Sequence, residues 1–139
     1  MKKIVAAILV FAAVIAIACP AHAANPPQIF PQYVNTKSVR VYLSIDDNAV
    51  ATATVIATAN SGVTQIKADT HIERLVNGRW YLAYIGGTET SWEDVSYSTN
   101  FNQIYTAQLS STGTYRVVTE FTVTGTTVET ITKIAQAVY

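Results

Sequence analysis

The chain is poor in the residues that carry chemistry. Of its 139 residues one is cysteine (Cys19), one is methionine, two are histidine and 13% are charged. One cysteine excludes a disulfide framework. With His71 the only histidine after residue 23, a structural zinc site within one copy is excluded as well. Nine Lys and Arg balance nine Asp and Glu, so the basic surplus that nucleic acid or an anionic membrane demands is missing. The six glycines include no phosphate-cradling run, and Gly86-Gly87 reads as a turn. Proline stops at Pro31, leaving nothing beyond it to interrupt a β-ladder.

What is present begins with an export signal. Met1-Lys2-Lys3 is a short basic segment, residues 4–18 are uninterruptedly apolar, and Ala21-His22-Ala23 is the small-x-small pattern of a cleavage site. Residues 1–23 are therefore expected to be a signal peptide, with secretion as the outcome and no stable membrane span after cleavage. Ile17-Ala18-Cys19 also resembles the end of a lipobox. Ala16 stands where Leu is usual and Pro20 follows the cysteine, so a lipid anchor on Cys19 is the minor alternative. Cleavage would leave 116 residues with seven basic and nine acidic side chains. A chain of that length can bury about two-thirds of its unfolded surface, enough for one core.

Residues 24–37, with Pro26, Pro27 and Pro31, predict an extended lead-in. The remainder, 38–139, reads as all-β. It is rich in threonine, alternates apolar and polar residues, and shows no convincing 3.6-residue period. Val39, Val41, Leu43 and Ile45 alternate with Arg40, Tyr42 and Ser44, up to a stop at Asp46-Asp47-Asn48. Residues 49–59 carry alanines and Val55 at odd positions and Val, Thr and Ile at even ones, so either face can be inward. Ile66, Ala68, Thr70 and Ile72 oppose Lys67, Asp69, His71 and Glu73. Asn77-Gly78 is a type I′ hairpin signal, after which Trp80, Leu82 and Tyr84 share a face, with Trp80 expected in the core. Residues 88–105 are less regular, with one or two short strands. Tyr115, Val117, Thr119, Phe121 and Val123 form a further apolar face, and Thr124-Gly125 turns the chain into a last strand through Val128, Thr130, Thr132 and Ile134. About seven strands at intervals of roughly 8–12 residues predict a single immunoglobulin-like antiparallel β-sandwich.

Gly113-Thr114-Tyr115 resembles the Gly-x-Tyr approach to the penultimate strand of immunoglobulin-type domains, where the tyrosine hydroxyl bonds back to the chain. Val117 stands where those domains place cysteine; a plain core tyrosine is the competing reading. Together with Ser61-Gly62-Val63-Thr64-Gln65-Ile66-Lys67, Asn77-Gly78-Arg79-Trp80, Gly113-Thr114-Tyr115-Arg116-Val117 and Val128-Glu129-Thr130, the pattern resembles small secreted immunoglobulin-like proteins of Gram-positive bacteria. The resemblance covers most of 38–139. It implies a fold and an extracellular setting, and implies no active site.

No catalytic residue, metal ligand set or cofactor site is expected. His71 lies between Asp69 and Glu73 on a polar face, and no nucleophile elbow accompanies it. Asp46-Asp47-Asn48 and Glu93-Asp94 are the two compact acidic groups that calcium would use; turn chemistry is their commoner role. The surplus lies in aromatics: Tyr81, Tyr84, Trp92, Tyr97 and Tyr105 crowd mid-chain, and alternation cannot bury them all. They are the expected ligand surface of a non-enzymatic module binding an extracellular protein or glycan. Alternatives are a toxin-like or antimicrobial effector and a small extracellular hydrolase using His71 or the acids.

Overall fold

Three tight connections set the hairpins. Asp46 accepts the Asn48 and Val50 amides on Oδ1 and, with Ala49 at φ 63°, turns β1 (Thr36–Ile45) into β2 (Val50–Ala59). Asn77 and Gly78, at φ 50° and 79°, join β3 (Gln65–Val76) to β4 (Arg79–Leu82) in the positive-φ turn their identities predict. The short pair β5 (Tyr84–Ile85) and β6 (Thr88–Glu89) precedes β7 (Ser91–Ser96) and β8 (Asn100–Gln108). Residues 125–127 then link β9 (Thr114–Thr124) to β10 (Val128–Val138). This computed structural model describes residues 33–85 and 88–139, the side chains of 84, 85, 88 and 89 apart. The expected signal peptide of residues 1–23, the prolines of the lead-in and Gly86-Gly87 lie outside the described residues.

Eight strands form two antiparallel sheets, β1-β2-β8 and β10-β9-β3 with β4 and β7 both on the outer edge of β3. β4 and β7 thus make one interrupted edge strand. Between them the chain departs as the β5–β6 hairpin, and Thr90 closes its neck: its hydroxyl lies 3.0 Å from the Ile72 carbonyl and 2.9 Å from that of Ala83. Among the described residues there is no helix.

The core lies between the sheets. The odd face of β2, from Ala49 to Ala59, is the inward one, and the bulk it lacks is supplied by Phe101, Phe121, Ile66 and Ile72. Phe101 and Phe121 meet edge to face at 6.4 Å, the arrangement ring quadrupoles favour. Thr70 and Thr119, fully buried on neighbouring strands, hold hydroxyls 3.0 Å apart, so neither is left without a partner.

Four expectations change. Trp80 pairs with Leu75 on the outer face of its sheet, half-buried beneath the Arg116 guanidinium, 4.3 Å from its centroid. It is not core. The apolar set Val128 and Ile134 of β10 faces solvent, 65% and 51% exposed, whereas Ile131 is the buried contact. The stretch read as irregular holds a nine-residue strand, β8. Its pattern is blurred because Gln103 shares the register of buried Val55 and Ile104 points outward. Finally, β1 starts at Thr36, before the boundary expected at 38, because Glu129 grips residues 34–36: Oε1 accepts the Val34 and Asn35 amides, and Oε2 accepts the Thr36 amide and hydroxyl.

Tyr115 behaves as the Gly-x-Tyr pattern predicts. Its ring is buried and its hydroxyl donates 2.7 Å to the Ser111 carbonyl, four residues upstream. Tyr115→Phe removes this bond, and the longer 3.4 Å one with the Ser111 hydroxyl, while keeping the ring. It should cost about 1 kcal/mol, measured as a lowered urea midpoint with unchanged slope.

Candidate functional site

The five aromatics singled out in the sequence do not form one surface. Trp92 pairs with Thr70, which turns its side chain inward, where it stacks on Tyr105 at 4.9 Å and 13° between planes. Tyr105 is only 7% exposed and donates 2.7 Å to Asp94 Oδ2. Burial pushes its hydroxyl well above the ordinary tyrosine range, and the Asp94 hydrogen bond and charge push it further. These two rings join the sheets across β7 and β8, and are a structural contact. Tyr81 and Tyr97 are exposed, 52% and 80%, at opposite ends of the sandwich. Tyr81 pairs with Arg74 and Ser96 with Ile66, and eight residues of strand separate those positions by about 27 Å. The Tyr84 side chain lies outside the described residues.

A concave site lies at the Tyr81 end. β3 and β4 run on past the core, and the chain crossing between sheets through residues 109–113 folds back beneath them. Between the two is a recess of about 180 Å³, lined chiefly by Arg74, Tyr81, Ala83, Leu109, Ser111 and Tyr115. Gly113 is held there by exchanging backbone bonds with Tyr139, both 3.0 Å.

Among the described residues Arg74 is the single charged side chain in the lining. It follows Glu73 on β3 and so takes the inward parity of Ile72. Its Nη2 donates 2.8 Å to the Thr112 carbonyl, and the guanidinium lies 6.0 Å from the Tyr115 ring centroid. A Cβ on Gly113 would stand 3.1 Å from Nε, so glycine there lets the arginine lie flat against the loop. Nε itself is buried with no hydrogen-bond partner, and no carboxylate pairs with Arg74 among the described residues. Sequence reading missed this residue. A charge at an inward position of an otherwise alternating strand was the available signal.

In two groups on the outer face of the β3 sheet, charges are engaged with each other. On the outer face Glu73 bonds Arg116 Nε through Oε2 and lies 3.3 Å from His71 Nε2 through Oε1. Lys67 bridges Asp69 at 3.3 Å and Glu93 at 2.7 Å. The Glu93 hydrogen bond raises the pKa of Lys67, and the Lys67 bond lowers that of Glu93. The two acidic groups considered for calcium are dispersed. Asp46 serves its turn, and consecutive Glu93 and Asp94 take opposite faces of β7, one to Lys67 and the other to Tyr105. Among the described residues no group of three or more His, Cys, Asp or Glu could hold a metal ion.

Comparison with family models, with curated proteins and with solved structures finds no match to this chain.

Proposed function

We propose that the chain is a secreted, non-enzymatic immunoglobulin-like module that binds an extracellular ligand, a glycan in preference to a protein, at the recess between Arg74 and Tyr81. Three features support the immunoglobulin-like reading. The strand order β1-β2-β8 corresponds to A-B-E of those domains, and β10-β9-β3 to G-F-C. The edge strand beside β3 takes the place of C′, and Tyr115 makes the corner bond. Secretion rests on the leader pattern of residues 1–23.

The observation that carries binding is the recess itself: a cleft with an exposed aromatic ring at its mouth and serine hydroxyls beside it. Aromatic faces with a few polar groups are how proteins hold sugar rings, and the space suits one ring better than a protein side. The test is a glycan array probed with the mature domain and with Tyr81→Ala. Because Tyr81 is half-exposed, its loss should leave folding intact and weaken any bound glycan at least tenfold. Equal binding by both proteins, or none by either, rejects the proposal.

The small-hydrolase reading has one observation in its favour: Ser91 is the cross-strand partner of His71, whose ring lies beside Glu73. It predicts ester hydrolysis that His71→Ala abolishes. Unchanged hydrolysis in that variant, or none in the parent, dismisses it.

A further inference from the structure

We infer that the recess recognises an acidic sugar, with the carboxylate of a uronic-acid residue on Arg74 and its ring against Tyr81. This inference rests on the glycan reading above and adds the chemistry of the ligand.

Charge balance is its basis. A guanidinium offers five N–H donors. In Arg74 one bond goes to Thr112, and Nε faces Gly113 without an acceptor. Among the described residues the remaining lining is aliphatic, aromatic or hydroxyl, so no lining side chain there carries a compensating negative charge. Arg116, on the outer face of the same sheet, has Glu73 to neutralise it. A cation without an ion-pair partner in a recess favours an anion, and a planar fork favours a carboxylate that can accept two parallel bonds. The Thr112 bond and the close approach of Gly113 restrain the guanidinium, so less side-chain freedom is lost when a ligand arrives. The apolar wall and Tyr81 leave room for a ring attached to that carboxylate, and the volume matches one ring.

The experiment compares a tetragalacturonate with its methyl ester, which has the same rings without the charge, by calorimetric titration of the mature domain. The acid should bind at least tenfold more tightly, and the preference should shrink as salt is raised from 50 to about 500 mM. Arg74→Lys keeps charge and loses the fork, and Arg74→Met loses both; the acid preference should fall in that order. If Arg74→Met is poorly folded by thermal melting, Arg74→Lys and Tyr81→Ala decide. Tyr81→Ala should weaken acid and ester alike.

Equal binding of acid and ester overturns the acidic-sugar inference and leaves the glycan module standing. No binding of either, alongside an empty glycan array, overturns both. A tripeptide with a free terminal carboxylate that binds when tetragalacturonate does not would also overturn the inference. So would acetate alone competing as well as the tetramer.

Discussion

Phe121→Ala should destabilise the domain by about 4 kcal/mol, near the upper part of the range for deleting a buried aromatic side chain. Phe121 has no exposed surface and sits on β9 between Ala68 and Ile131, edge-on to Phe101. The cost of a cavity depends on how far its walls can relax inward. Here the opposing wall is β2, whose inward side chains are alanines and Val55. Alanine has no side-chain reach to extend, so the space stays open. No disulfide backs up the core, since Cys19 is the single cysteine. Against a total of about 5–15 kcal/mol for a domain of this kind, the loss leaves a marginal fold. Urea unfolding followed by tryptophan fluorescence would show it as a midpoint falling by roughly 2 M at constant slope. Val128→Ala, on the solvent face of β10, should change stability by less than about 0.5 kcal/mol. A Phe121→Ala cost below about 1 kcal/mol would mean that inter-sheet packing does not hold the two sheets together.

The same packing explains which elements were legible in the sequence. β3 and β9 carry strict alternation because each is buried on one face along its central length, and period two has one interpretation there. β2 was half legible. Its alanine face is inward because the rings of β8 and β9 need room, and that information lies on other strands. Trp80 shows what a closer reading would have yielded. A two-residue turn at Asn77-Gly78 pairs Val76 with Arg79 and hence Leu75 with Trp80. Leu75 has the parity of Glu73, an outward residue, so Trp80 must also face outward. Trp92 and Tyr105 were beyond such reasoning. The inward side of Trp92 depends on the β3–β7 register and that of Tyr105 on the β2–β8 register, where it faces Ala53; both pairings are long-range, and no local pattern encodes them. The recess was illegible for a related reason: it joins β3, β4 and residues 109–115, which meet only once the chain has crossed between sheets. Arg74 alone carried a local hint.

Glu129→Ala should be the next most damaging change, costing about 2 kcal/mol at pH 7, and about half of that cost should disappear in acid. The two carboxylate oxygens accept three backbone amides and the Thr36 hydroxyl at 2.6–3.1 Å, closing the start of β1 onto the start of β10. Asn35 completes the clasp by donating 2.8 Å to the Thr127 carbonyl. It fits because Gly125 has no Cβ, which would stand 2.7 Å from Asn35 Oδ1. Each charge-assisted bond is worth more than a neutral one, but the clasp is partly open to water, which holds the sum to a fraction of four full bonds. Desolvation pushes the Glu129 pKa up; the bonds from Asn35, Thr36 and Val34 outweigh it, and the net pKa is lowered. A carboxyl lowered in the folded state stabilises fully above its unfolded value, about 4.5. That stabilisation is lost as pH falls through the folded value. Glu129→Gln keeps one acceptor oxygen and should lose about half as much as alanine at pH 7. The gap between parent and Glu129→Gln should therefore be constant from pH 8 to about 5 and close toward pH 3, read from urea midpoints at each pH. A gap that persists unchanged at pH 3 would show that the clasp works by shape alone and that the carboxylate charge contributes nothing.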